Sequence, residues 1–198
     1  MAGQVKVSKF RILVVCTGNI CRSPLAEKML QHGLDALSPN TFEIGSAGTE
    51  APVGMYPTRE IVELTEARGI EPVFHPARLL NRGLIRDSDL ILTMERAQQS
   101  VVVRSVPSAL RYTFTIRQFA RVLNRMPSVS GASVTRRWAN VVAFAPRYRR
   151  PSHGATDPDD VFDPFGRPRE GYERMLRQLE PAVKTILLWE QSQSATRL

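Results

Sequence analysis

The stretch that most constrains the fold is residues 10–24, which join an apolar run to a helical pattern through a short polar turn. FRILVV at 10–15 has the length and composition of a buried strand. Ser23 and Pro24 precede the periodic stretch LAEKMLQHGLDAL, and we expect Ser23 to be the N-cap and Pro24 the first helical residue. The sequence therefore predicts a strand, a turn and a helix in direct succession.

The same alternation continues along the chain. Further strands are predicted at 41–48, in the last part of 84–93 and at 110–116. Further helices are predicted at 57–69, 94–106, 117–126 and 170–190, the last kinked or split in two at Pro181. Strands that alternate with helices are typical of an α/β fold with a parallel sheet, and 198 residues suit one domain over 1–198.

Residues 127–156 interrupt this alternation and are interpreted as an insertion. The segment mixes Ser, Gly and Pro with TRRWANVVAFAPRYRR, whose middle could form a short helix. Residues 97–156 contain ten Arg and no Asp or Glu, which leaves 17 basic and 19 acidic residues elsewhere. Such a region could bind nucleic acid, an acidic partner or a membrane surface, but we expect a solvated basic face and no nucleic-acid partner.

Cysteine and histidine usage narrows the class of protein. Cys16 and Cys21 are the only cysteines and lie within one turn, which is not the framework of a disulfide-rich secreted domain and favours a cytoplasmic protein. The three histidines are scattered, so we expect no metal site and no cofactor. No apolar run approaches the ~20 residues that span a bilayer, so we expect no membrane insertion.

The turn itself has the chemistry of a phosphate site that carries a nucleophile. A turn that follows a parallel strand and precedes a helix can bind phosphate or another oxyanion through its N–H groups, here those of Thr17, Gly18, Asn19, Ile20, Cys21 and Arg22. The same environment favours the thiolate of Cys16, and Arg22 can bridge two phosphate oxygens. The strand before this C-x5-R spacing and the capped helix after it favour a catalytic loop over an ordinary buried cysteine.

CTGNICRSP resembles the signature loop of the low-molecular-weight protein tyrosine phosphatase family, bacterial type. SAGT at 46–49, HPAR at 75–78, SDLILTM at 88–94 and VFDPFG at 161–166 follow that family in order. The resemblance implies a three-layer sandwich, with a four-stranded parallel sheet and helices on both faces. It also implies hydrolysis of protein phosphotyrosine through a cysteinyl-phosphate intermediate, without a metal.

The resemblance assigns further roles. The general acid lies in an Asp-Pro pair followed by an aromatic residue, which matches Asp163 and places Phe165 at the substrate rim; Asp157 is the second candidate. A hydrogen-bond network that holds the loop is implied for Asn19, Ser23, Ser46 and His75. Cys21 could form a reversible disulfide with Cys16, or could be a small buried side chain at the loop.

Three other activities are compatible with parts of this pattern. CTGN and DPF resemble the protein arginine phosphatase branch, where the hydroxyl of Thr17 could accept from a guanidinium, although we favour phosphotyrosine. The absence of a cysteine after Cys21 argues against an arsenate reductase, and a phosphate-binding pseudoenzyme would be expected to lack Cys16, Arg22 or Asp163.

The position of the insertion before Asp163 predicts that it borders the active site and favours acidic phosphopeptides. The alternative is a basic surface loop that leaves specificity alone.

Overall fold

The core of the fold is a sheet of four parallel strands, seen in a computed structural model that describes residues 9–72, 74–149 and 159–195. The strands are β1 (Phe10–Cys16), β2 (Phe42–Gly48), β3 (Leu90–Thr93) and β4 (Thr113–Thr115). Their order is β2-β1-β3-β4, so β1 is central and pairs with β2 along its whole length. The predicted four-stranded parallel sheet is confirmed.

Seven α-helices are found in the part of the chain that the structure describes. They are α1 (Arg22–Leu37), α2 (Arg59–Glu66), α3 (Arg82–Arg86), α4 (Arg96–Ser105), α5 (Ile116–Leu123), α6 (Val134–Phe144) and α7 (Arg169–Ala195). Two 3₁₀ segments, Pro107–Tyr112 and Ala145–Tyr148, precede β4 and follow α6. Among these described elements, no helix has the length and apolar character needed to cross a lipid bilayer.

Side chains of β1 alternate between two apolar layers. Ile12 and Val14 pack into the larger cluster, which includes the buried residues of α1, α5 and α7. Leu13 and Val15 pack into the second cluster, to which α3 and α4 contribute. Because both faces of the central strand are covered, its sequence is a nearly unbroken apolar run.

Helix α1 begins earlier than the sequence predicts. Its first residue is Arg22 and its N-cap is Cys21, so the prediction of Ser23 as N-cap and Pro24 as first helical residue is wrong. Pro24 is the third helical residue, where an N–H would still have no intrahelical acceptor, so proline is tolerated there. The hydroxyl of Ser23 is therefore not used to cap the helix.

Helix α7 is a single helix of 27 residues that contains Pro181 in its interior, so of the two predicted outcomes, a kink or a split into two helices, the split is wrong. Proline removes one backbone hydrogen bond, but Leu179 and Val183 on either side of it are buried in the core. Thr185 Oγ1 also donates to the carbonyl of Pro181 at 2.9 Å. Burial of one face holds the helix together through the proline.

The described part of the insertion, 127–149, packs at the amino end of the sheet. Its helix α6, which was predicted, buries Trp138 completely. The indole is 5.6 Å from the Phe10 ring and 5.2 Å from the Phe42 ring, between centroids, and these are the first residues of β1 and β2. The prediction that the insertion borders the active site is therefore wrong for its described part, 127–149, because a large apolar side chain draws α6 to the opposite end of the core.

A buried carboxylate fixes the insertion to the rest of the chain. Glu190 of α7 is fully buried and accepts from Arg137 Nη2 at 2.6 Å, Trp138 Nε1 at 2.8 Å and Ser38 Oγ at 3.1 Å. A buried charge is tolerated only when it is paired and hydrogen-bonded. These contacts join α6, α7 and the end of α1.

Sequence patterns missed the short helix α3, although Asn81 accepts from Leu84 N at 2.9 Å and caps it in the usual way. Strand β4 covers only the centre of the predicted 110–116, because the residues before it form a 3₁₀ segment. Asp157, His153 and residues 150–156 of the insertion lie outside the described residues.

Candidate active site

The site is built on the turn between β1 and α1. Cys16 is the last residue of the central strand, and the following turn curls around its sulfur, so that Asn19 N donates to Cys16 Sγ at 3.1 Å. Asn19 has a left-handed backbone (φ 55), which asparagine tolerates better than most residues. Glycine at position 48, the end of β2, lets the backbone of the turn pack closely against this strand. A Cβ there would lie 2.4 Å from the carbonyl oxygen of Thr17.

Donors of the turn face a cleft. The N–H groups of Gly18, Ile20 and Cys21 donate to no residue that the structure describes. The cleft has a volume of about 350 Å³, and its walls include the turn, Glu50, Pro52, Met55, Asp163 and Phe165. Unpaired N–H groups in a curved turn at a helix start form a cradle for an anion.

A hydrogen-bond network behind the turn holds it in place. Asn19 Nδ2 donates to Ser23 Oγ at 3.0 Å and to Ser46 Oγ at 2.8 Å, while Arg78 N donates to Asn19 Oδ1 at 3.0 Å. Ser23 Oγ lies 3.0 Å from Cys16 Sγ. Because Ser23 accepts from the Asn19 amide, its own hydrogen can be donated to the sulfur, which stabilises a thiolate.

His75 lies outside this network. Its Nε2 contacts the Glu27 carboxylate at 3.0 and 3.1 Å, and its Nδ1 lies 3.3 Å from the carbonyl of Pro76. The hydrogen bond to Glu27 raises the pKa of His75, against the opposing effect of its burial. The HPAR segment instead reaches the turn through the backbone of Arg78, a residue that sequence patterns did not single out.

Arg22 is almost fully buried, and its guanidinium donates hydrogen bonds to three other residues of the chain. Its Nη1 donates to the carboxylate of Glu95 and, at 3.0 Å, to the carbonyl of Val161, and its Nη2 donates to Asp163. Local sequence patterns did not indicate a role for Glu95. The available signal was its position just past β3, since residues at the carboxyl ends of parallel strands converge on ligand sites.

Asp163 and Phe165 both line the cleft that the turn faces. The Asp163 side chain is 45% exposed within the cleft, and its Oδ1 accepts from Phe165 N at 3.1 Å. The Phe165 ring is exposed at the mouth. The carboxylate can therefore reach both Arg22 and solvent.

Gln98 fixes the side chain of Thr17 and was also missed. Its buried amide oxygen accepts from Met94 N at 3.0 Å and Glu95 N at 2.9 Å, which leaves Nε2 to donate to Thr17 Oγ1 at 3.1 Å. A flipped amide would lose both backbone bonds, so this orientation is determined by the network. Thr17 thus accepts from Gln98, and its hydroxyl hydrogen is available to the cleft.

Cys21 differs from Cys16 in its environment. Burial raises the pKa of the Cys21 thiol to about 12, although Thr58 lowers it through its hydrogen bond. The sulfur lies 3.8 Å from Thr58 Oγ1, and the two cysteines are not joined by a disulfide. Cys21 is therefore a protonated thiol at neutral pH.

Among the described residues, no group of three or more His, Cys, Asp or Glu side chains could hold a metal ion.

The sequence pattern described as "Low molecular weight phosphotyrosine protein phosphatase" matches residues 11–127, more than half of the chain. The chain belongs to this phosphatase family. The matched residues include the whole turn, Glu95 and Gln98, and end where the insertion begins. Asp163 lies beyond the match.

Relatives on two branches resemble this member of the family. The low molecular weight protein-tyrosine-phosphatase Ptp of Acinetobacter johnsonii is 41% identical over 53% of this chain and 70% of its own length. The protein-arginine-phosphatase of Geobacillus stearothermophilus is 30% identical over 89% of this chain and 93% of its own. The solved structure of the low molecular weight protein tyrosine phosphatase from T. tengcongensis has a TM-score of 0.65 and 28% identity, covering 90% of this chain and 98% of that one.

Proposed function

We propose that this phosphatase hydrolyses phosphotyrosine in proteins through a phosphate ester on Cys16. The observation that carries the proposal is the environment of the sulfur, which is within hydrogen-bond distance of Asn19 N and Ser23 Oγ at the base of a cleft that also holds Arg22 and Asp163. A nucleophile, an anion cradle and a carboxylate in one cleft are the groups that phosphate ester hydrolysis needs.

In the first step the Cys16 thiolate attacks phosphorus and the bond from phosphorus to the tyrosine oxygen breaks. Charge on the phosphoryl oxygens is stabilised by the N–H groups of the turn and by the guanidinium of Arg22. Asp163, in its protonated form, gives its proton to the departing tyrosine oxygen. Glu95 keeps one arm of Arg22 in place throughout, and so acts as a positioning residue.

In the second step the Asp163 carboxylate takes a proton from water, and the water oxygen attacks phosphorus. The bond from phosphorus to Cys16 Sγ breaks, which releases inorganic phosphate and restores the thiolate. The hydrogen bond from Ser23 stabilises the departing sulfur anion. No metal or other cofactor is required for this sequence.

The cleft walls suit a flat aromatic group. Met55 and Phe165 line the cleft and are 50% and 58% exposed, so apolar surface flanks the path to the sulfur. A phenyl ring between them would bury apolar area and remain in line with Cys16. Residues 49–54 contain no aromatic side chain, and Met55 supplies the apolar wall next to them.

A second substrate class is phosphoarginine. Two observations favour it: the long alignment with a protein-arginine-phosphatase and the polar Thr17 at the cleft. After accepting from Gln98, the Thr17 oxygen retains one lone pair, which a guanidinium N–H could use. Phosphotyrosine remains the principal proposal because of the two apolar walls.

Turnover of a phosphotyrosine peptide and a phosphoarginine peptide of otherwise identical sequence, in EDTA, tests the proposal. We expect phosphotyrosine to be preferred by the wild type, Cys16→Ser to abolish turnover of both peptides and Asp163→Asn to slow it by about 100-fold. Asp160→Asn is the matched control, because Asp160 is a neighbouring carboxylate whose Oδ1 accepts from Arg96 N. Preference for phosphoarginine would assign the protein to the other branch, and absence of both activities would contradict the proposal.

A further inference from the structure

A group of exposed arginines lies at the amino end of the sheet, far from Cys16. Helices α4 and α5 run back from the carboxyl ends of β3 and β4, so their last turns reach the amino end, where the insertion also packs. The arginines that these elements expose there are Arg104, Arg111, Arg125, Arg136 and Arg147, here called the basic surface. Phe10 and Cys16 are six residues apart in β1, so this end is about 20 Å from the catalytic sulfur.

All five arginines of the basic surface lie in a segment of the chain that has no acidic residue. None of its five arginines forms an ion pair with a residue that the structure describes. Residues 97–149 contain no Asp or Glu. Two carboxylates that contact α5 and α6 are already occupied, since Asp159 pairs with Arg121 and Glu190 is buried against Arg137. The positive charge is therefore available to an external anion.

A cleft opens within this surface. Its volume is about 340 Å³, and it lies between residues 126–130 and the end of α6. Met126, Val129 and Phe144 supply apolar wall, and Phe144 is 43% exposed. The guanidinium of Arg147 lies 5.1 Å from the centre of the Phe144 ring, at the edge of the cleft. Asn140 Nδ2 donates to the carbonyl of Ser130 at 3.0 Å and holds the two walls together.

We propose that this cleft and the basic surface around it form a docking site for an acidic segment of a partner protein that carries one apolar anchor side chain. The arginines of the basic surface would attract the acidic side chains of such a segment, and the apolar wall of the cleft would bury its anchor side chain. A concave cleft fits an inserted side chain, whereas a membrane surface would be met by protruding apolar groups. The site is independent of the proposed function, because a partner bound there leaves the catalytic cleft open.

Binding of a fluorescein-labelled peptide of glutamates with one central phenylalanine, measured by anisotropy on the full chain, tests this proposal. The comparison peptide has serine in place of phenylalanine. We expect the phenylalanine peptide to bind at least fivefold more tightly than the serine peptide. The double variant Arg125→Glu/Arg147→Glu is expected to weaken its binding by at least tenfold.

Two further variants separate the cleft from general charge. Arg59→Glu/Arg177→Glu makes the same charge change on α2, which begins beside the catalytic turn, and on α7, and is expected to weaken binding by less than threefold. Ser128→Trp fills the cleft without changing charge and is expected to remove the preference for phenylalanine. Circular dichroism and turnover of p-nitrophenyl phosphate confirm that each variant is folded.

Four results would overturn the proposal. One is equal binding of the two peptides, and another is equal weakening by the two double variants. A third is an unchanged preference for phenylalanine in Ser128→Trp. The fourth is binding to anionic lipid vesicles or to duplex DNA that is tighter than peptide binding and is lost in Arg125→Glu/Arg147→Glu, which would assign the surface to that partner instead.

Discussion

The two ends of the central strand use buried polar groups in opposite ways. At the carboxyl end, N–H groups of the turn face an open cleft, where Arg22 donates to Asp163 on the cleft wall. At the amino end, Glu190 receives donors from the insertion and is closed off from solvent. Donors that remain available to a ligand support catalysis, whereas donors that are satisfied internally support the fold. Changes at the two ends should therefore affect different measurements.

The largest effect is expected at the amino end, on stability. Trp138→Ala removes a fully buried indole that touches Phe10 and Phe42, and should lower the free energy of unfolding by about 3–5 kcal/mol. Urea unfolding measures this loss. Turnover per folded molecule should stay within twofold of wild type at low temperature, and a large drop in kcat would contradict the separation of the two ends.

Arg22→Lys is the corresponding change at the carboxyl end. Lysine keeps the charge but cannot hold Glu95 and Val161 O with one arm while the other reaches Asp163 and the cleft. We expect kcat/KM to fall by about 100- to 1,000-fold. The midpoint of urea unfolding should change much less than in Trp138→Ala; a similar loss of stability at both ends would remove the contrast.

Glu95→Gln tests how Arg22 is positioned. The amide can still accept from Nη1 but no longer pairs a charge, so we expect kcat to fall by about tenfold, equivalent to ~1.4 kcal/mol. KM for p-nitrophenyl phosphate should change by less than threefold. Glu50→Gln, on the opposite cleft wall, is the matched control. Equal effects of the two changes would indicate a general effect of charge rather than positioning.

The sheet and the turn could be predicted from the sequence, whereas several contacts around the site could not. Apolar periodicity and strand-length runs predict the sheet because they depend on burial of neighbouring residues in the chain. The turn was found because its residues are contiguous. Glu95, Gln98 and Arg78 were missed because their roles arise from contacts between distant segments, for which local patterns give little signal.

The predicted position of the insertion beside the active site was wrong for a related reason. Its proximity in sequence to Asp163 suggested proximity to the site, but burial of Trp138 determines where α6 packs. Likewise, Pro181 predicts a kink or a split from local propensity alone, and tertiary burial of α7 prevents the split. Local sequence therefore predicts contiguous motifs well. It predicts the position of a helix poorly when that position depends on which distant residues the helix packs against.

The smallest effect concerns the His75–Glu27 pair, which links the HPAR segment to α1. Its contact with Glu27 raises the pKa of His75 in the folded state, against burial and the nearby charge of Arg78. The pair therefore contributes its full stability below the unfolded value of about 6.5 and loses it as pH rises through the raised folded pKa. Because His75 is about one-third exposed, the contribution should not exceed the ~1 kcal/mol of a surface ion pair.

His75→Gln should consequently destabilise the protein more at pH 5.5 than at pH 9, which urea unfolding at the two pH values measures. His32→Gln is the control, since His32 is an exposed histidine of α1 for which no hydrogen bond or ion pair is found among the described residues. If the difference in free energy of unfolding between wild type and His75→Gln were larger at pH 9 than at pH 5.5, the neutral ring, and not the ion pair, would be what holds the HPAR segment. Since Arg78 N carries this segment's bond to Asn19, a small accompanying loss of kcat at high pH would connect the pair to the turn.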